Sequence, residues 1–146
     1  MNVATLLQDP RFRLEQREAP PPETLQSFRS SAPDNLPRTY LRFMQACNGA
    51  AGPAPFGSGT IDIWPVSDVL ERQEALSGAE GLDGYFAFAS DESGQLFVFD
   101  LRAEDGAAVG LVAPADPAED GKGHVDVVSG SFSEFLQNLA RMPVGL

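Results

Sequence analysis

The stretch YFAFASDESGQLFVFDL, residues 85–101, decides how the rest of the chain is read. Its two ends, YFAFA and QLFVFDL, are aromatic and β-prone. The polar SDESG between them is a five-residue hairpin signal. Two strands joined so closely must run antiparallel. VGLVAP (109–114) continues the meander, and HVDVV (124–128) supplies a last short strand. Upstream, IDIW (61–64) alternates and is β-branched, so it reads as a strand ended by Pro65.

The helices sit on either side of that run. LPRTYLRFMQACNGAAG (36–52) places Pro37 in a first turn and Tyr40, Leu41, Met44 and Cys47 on one apolar stripe. Arg38, Arg42 and Gln45 lie off the stripe, and Asn48-Gly49 is a left-handed stop. The following AAGPAPFGSG reads as a flexible crossover. Gly57-Ser58-Gly59 lacks the lysine and the strand-loop-helix order of a phosphate cradle. Pro22 and Glu23 open an earlier helix that faces Leu25 and Phe28 inward and ends before Pro33. Ser67 is the expected N-cap of a short helix carrying Val69, Leu70 and Leu76. Ser131 to Glu134 has the capping-box form, followed by Phe132, Phe135, Leu136 and Leu139 at helical spacing and by Pro143.

These elements predict an α+β fold in one domain: a mostly antiparallel sheet of about four to six strands flanked by helices. Residues 1–22 read as an irregular N-terminal segment, with RFRLEQRE (11–18) a short strand at most, and residues 23–146 as the domain. No internal repeat or linker divides the 146 residues, which suffice to bury a core.

The net charge of -11 is unevenly distributed. Residues 1–79 hold nine acids and seven bases, all arginines, whereas residues 80–126 hold eleven acids against Arg102 and Lys122. Such a half repels phosphates, which argues against nucleic acid and anionic membranes as direct partners. It suits steering toward a basic protein; plain solubility is the other reading. No apolar run approaches the roughly 20 residues of a membrane span, and the N-terminus lacks the parts of a secretory signal. The expected location is cytoplasmic.

Nothing in the sequence marks catalysis. His124 is the only histidine and has no nucleophile elbow to serve, so it reads as a surface or strand-edge residue. One histidine and one cysteine, far apart, are a poor zinc set. Cys47 reads as a small buried apolar residue. Asp91, Glu92 and Ser93 hold only fragments of a calcium loop. No metal or cofactor is expected. Alternation puts Asp62 and Trp64 on the face opposite Ile61 and Ile63, so Trp64 is either a core plug or a partner anchor. The acids Asp91, Glu92, Asp100, Glu104, Asp105, Asp116, Glu119 and Asp120 fall in or beside strand connections. With Asp62 and Trp64 they form the expected partner-binding set, on the premise that the loops converge into one negative surface.

Four stretches, LPRTYLRFMQACNGAAG, GTIDIWPVSDVLE, FAFASDESGQLFVFDL and SFSEFLQNL, resemble in order and spacing the SUKH superfamily, in its Smi/Knr cell-wall-regulator branch. The resemblance covers roughly residues 23 to 140. It implies a curved antiparallel sheet flanked by helices and a binding role without a catalytic set. Bacterial members of that family are often immunity proteins that block a cognate toxin, commonly a nuclease; fungal relatives are interaction proteins of cell-wall synthesis and signalling. The function expected on that basis is toxin neutralisation by direct binding. The alternative is a regulatory or scaffold domain of the same fold serving an endogenous partner.

Overall fold

The computed structural model describes residues 3–9, 14–33, 35–54, 59–76, 84–101, 108–112 and 125–140. Seven antiparallel strands follow one another in sequence order across a single open sheet. They are β1 (Glu15–Gln16), β2 (Ala50–Pro53), β3 (Thr60–Ile63), β4 (Tyr85–Ser90), β5 (Leu96–Asp100), β6 (Val109–Val112) and β7 (Val125–Ser129). The α-helices are α1 (Val3–Gln8), α2 (Pro22–Ser31), α3 (Arg38–Ala46), α4 (Val66–Val69) and α5 (Phe132–Ala140), with a 3₁₀ turn at Glu71–Leu76. The α+β expectation holds. No helix among the described residues is long and apolar enough to cross a membrane.

The sheet has one strand more than the upper bound of the expected four to six. Ala50–Pro53, expected as crossover, pairs with Thr60–Ile63, and Glu15–Gln16 pairs with Ala50 and Ala51 in turn. The 1–22 segment is therefore not irregular throughout. It contributes α1 and β1, and Leu6 and Leu14 join the same core as the rest of the chain.

The inner face of the sheet is aromatic. Phe97 and Phe99 on β5 are fully buried, as are Phe132 and Phe135 on α5 and Tyr40 and Phe43 on α3. A bulge in β4 leaves Phe88 without a partner on β5. The Phe88 ring stacks on Phe99 at 4.2 Å and meets Phe132 and Phe135 edge-on. Tyr40 makes edge contacts with Phe99 at 5.0 Å and Phe132 at 5.5 Å. Each such pair contributes about 0.5–1.5 kcal/mol beyond the area it buries. The stripes read on α3 and α5 thus dock where their spacing aimed them; Phe43 adds a core position to α3, while Leu41 is only half-buried.

α5 begins with the expected cap. The Ser131 hydroxyl accepts from the Glu134 N–H at 3.1 Å, and the Glu134 carboxylate reaches back to the N–H of Gly130. The cap of α4 differs from expectation. Ser67 lies inside the helix; the Val66 N–H, its first amide, is held by the Asn48 side-chain oxygen at 2.8 Å.

α3 already ends at Ala46, with Cys47 extended at φ -151°, so Asn48-Gly49 is not the left-handed stop expected; it turns the chain into β2 instead. Gly49 has φ of +89°, and a Cβ there would overlap the Ile63 carbonyl oxygen and crowd the Arg17 guanidinium. β3 leaves β4 after Ile63, apart from one further bond from the Trp64 N–H to the Phe88 carbonyl. In the place β3 vacates, the Gln73 side-chain amide accepts from the Ala87 N–H at 2.8 Å and donates to the Ala87 carbonyl at 2.6 Å.

Replacing Gly49 by alanine combines left-handed strain of about 1–2 kcal/mol with a backbone overlap, so a loss of about 3 kcal/mol or more is expected in urea unfolding. Alkaline pH tests the core. Burial pushes the Cys47 thiol from 9.0 up to about 11 and moves the Tyr40 phenol upward from 10.0. Both are held neutral in the fold, so the unfolded chain loses these protons first. Stability is then complete below about pH 9 and declines as pH rises from there toward 11. Cys47→Ala removes the earlier part of that decline. Among the described residues the buried Tyr40 hydroxyl has no hydrogen-bond partner. Tyr40→Phe is accordingly expected to leave stability at pH 7 unchanged or raise it by about 1 kcal/mol.

Candidate functional site

The cross-strand register builds one acidic row. Glu15 pairs with Ala51, Ala51 with Asp62, and Asp62 with Ser90. Directly paired residues share a face. Ser90 continues the row to Leu96, while Ile63 pairs with Ala89 and through it with Phe97 on the aromatic face. Asp62 and Glu15 therefore lie on the outer face, away from α3 and α5.

At the end of this row the β4–β5 turn folds over. Asp91 carries its geometry: one carboxylate oxygen accepts from the Ser93 N–H at 2.9 Å, the Ser93 hydroxyl at 2.7 Å and the Gln95 N–H at 2.9 Å. Gly94 takes the left-handed position, with φ of +89°. The Glu92 N–H donates to the Thr60 hydroxyl at 3.2 Å, which ties the turn to the start of β3. The result is an open cleft of about 350 Å³ lined by Asp62, Asp91 and Glu92 together with Ala51, Gly52, Thr60, Ile61 and Ser90.

The three carboxylates are not equivalent. Asp62 is half shared with Arg17, whose guanidinium bonds it at 2.8 Å and the Ile63 carbonyl at 2.9 Å. Asp91 is engaged by its own turn. Glu92 is exposed, and its carboxylate has no partner among the described residues. Arg17 and Glu15 were not among the expected site residues. Their signal was the RFRLEQRE run, read as a strand with no place in the sheet.

The other expected residues part company. Trp64 is in the core, only 1% exposed, with its indole N–H donating to the Ser90 hydroxyl and Arg72 over its ring at 4.9 Å. It is not presented to a partner, because α4 and the 3₁₀ turn cover the end of the strand that carries it. Asp100 closes β5 at the end opposite Leu96, four residues or about 13 Å from the cleft end. Successive connections of a meander alternate between ends, so Asp100 does not share the rim of Asp91 and Glu92. Glu104 and Asp105, in the connection that leaves β5 at Asp100, belong to the chain between that far end and β6; Asp116, Glu119 and Asp120 follow Val112, which pairs with Leu96 at the cleft end. These five, together with His124, Gly57 and Ser58, lie outside the described residues.

Among the described residues no group of three or more His, Cys, Asp or Glu side chains is placed to hold a metal ion. Cys47, 1% exposed and with its thiol pushed up, is a poor nucleophile where it stands.

The model of the SMI1 / KNR4 family (SUKH-1) matches residues 20–138. No curated protein matches the sequence. The family match begins after β1, so Glu15 and Arg17 are additions to the matched part, and the Arg17–Asp62 pair joins the two.

Asp91→Ala removes the three bonds that shape the turn and is expected to cost about 1–3 kcal/mol. Glu92→Lys is expected to stay within about 0.5 kcal/mol of the parent. Urea unfolding of both variants checks that the turn rests on Asp91 while Glu92 is free for another role.

Proposed function

The chain belongs to the SMI1 / KNR4 family (SUKH-1), and from that premise we propose that it is a non-catalytic binding domain, an immunity-type protein that neutralises a cognate toxin by covering it. The observation that carries this reading is the convergence of Asp62, Asp91 and Glu92 on one open cleft at the edge of a rigid sheet. Glu15 extends the same negative row, and the segment with Asp116, Glu119 and Asp120 departs from that end of β6. A surface of this sign attracts a basic partner and raises its association rate. The active cleft of a nuclease is basic because it holds phosphates; carboxylates can take the phosphates' places and block access in a one-to-one complex.

The reading assigns no reaction to the protein, no cofactor and no direct contact with nucleic acid or membrane. Occlusion needs only shape, charge and a fold that does not deform. The cytoplasm, where a producing cell would need protection, is the compartment that suits it.

The test is co-expression with the basic toxin-like product of a neighbouring reading frame, scored by survival and by pull-down. Protection and a one-to-one complex are expected. Glu92→Lys combined with Asp116→Lys should slow association about tenfold or more and flatten its salt dependence. Asp100→Lys, at the other end of β5, should change neither. Absence of both protection and complex overturns the reading. Capture of an endogenous partner with no toxin gene nearby would favour the regulatory or scaffold role instead.

A further inference from the structure

The bases are as unevenly placed as the acids. Among the described residues, Arg17 pairs with Asp62 and Arg72 lies 4.0 Å from Asp68. Arg29, Arg38 and Arg42 are exposed and have no ion pair among the described residues, and all three stand on α2 and α3. In a chain of net charge -11, nearby acids would claim isolated arginines. Instead three gather on one side of the molecule.

Helix geometry says which side. Tyr40, Phe43 and Met44 of α3 are fully buried against the inner face of the sheet. Arg38, Arg42 and Gln45 fall at i, i+4 and i+7 on the opposite side of that helix, all exposed. On α2, Pro22, Gln26 and Arg29 repeat the same spacing, while Phe28 is turned inward. An open groove of about 730 Å³ is lined by Gln45 from α3 and by Pro20, Pro22, Leu25, Gln26, Arg29 and Ser30 from the α2 side; Arg29 is the arginine in the lining, and Arg42 stands one turn before Gln45 on α3. That volume lies within the range of about 300–1,000 Å³ usual for ligand clefts. Asp62 and Glu15 are not part of its lining.

We propose that the α2–α3 groove is a second docking surface, taking an extended acidic segment of a protein partner. The guanidinium fork matches a carboxylate in bidentate geometry. Pro20, Pro22 and Leu25 offer an apolar floor for aliphatic stems, and the Gln26 and Gln45 amides can bond a peptide backbone. A nucleic acid fits less well. Its affinity comes mainly from neutralising many phosphates, and three arginines on a strongly acidic protein neutralise few. The proposal stands apart from the acidic cleft, since it rests on other residues.

The probe is a fluorescein-labelled ten-residue peptide of alternating glutamate and alanine, followed by anisotropy with the full chain at about 20 mM and about 150 mM salt. Binding is expected at the lower salt, weakened at the higher, and weakened about tenfold or more by Arg29→Glu with Arg42→Glu. Arg29→Gln with Arg42→Gln, a milder change at the same exposed positions, should give an intermediate loss, and Asp126→Asn on β7 no loss. Circular dichroism confirms that the variants are folded. Failure of the peptide to bind at the lower salt, or binding indifferent to the arginine changes, overturns the proposal. So does equal or tighter binding by a single-stranded oligothymidylate of the same charge.

Discussion

The fold turns on an absence, the missing side chain at Gly49. α3 ends three residues before it, β2 begins at the next residue, the Ile63 carbonyl of β3 closes on the same point, and the Arg17 guanidinium stands beside it. Four segments separated by up to 46 residues in sequence can meet only because no Cβ intervenes. From that corner Asn48 reaches forward to hold the first amide of α4, and Arg17 reaches across to Asp62. The corner thus places both the helix that covers Trp64 and the cation that sits beside the acidic cleft.

A second constraint keeps this arrangement rigid. The aromatic rings between the sheet and α3 and α5 interlock at centroid distances of 4.2 to 6.5 Å. The one buried side-chain polar atom without a partner among the described residues, the Tyr40 hydroxyl, is enclosed by Phe28, Phe88, Phe99 and Phe132. A body so packed presents its outer surfaces with little conformational loss on binding. Such stiffness would suit the covering role proposed above.

Much of this was legible in residue patterns. The hairpin at 85–101, the stripes of α3 and α5 and the Ser131–Glu134 cap each follow from spacing, because local sequence and burial agree there. β2 was hidden because AAGPAPFGSG has the composition of a loop; only its pairing with β3 makes Ala50–Pro53 a strand. β1 was visible only as a possible short strand in RFRLEQRE, because two paired residues carry no period that would place them in the sheet. The site was half legible. Asp62, Asp91 and Glu92 were expected and do meet, since a hairpin turn and a neighbouring strand end are close in any meander. Asp100 does not join them, because a meander's strands carry successive connections to alternate ends and Asp100 closes β5 at the other one. Sequence likewise could not show that Asp91 is consumed by its own turn, that Trp64 is roofed by a helix, or that a distant arginine shares Asp62.

Gln73 has a bearing on how the molecule lives with its neighbours. Where β3 departs, the first half of β4 would show a bare peptide unit to any stray extended chain, the usual seed of intermolecular sheet growth. A carboxamide has the same donor and acceptor as a peptide group, and Gln73 spends both on Ala87. One side chain thereby impersonates a strand and seals the ladder against recruitment. A concentrated solution can then hold many copies of this protein without their sheets fusing at this edge.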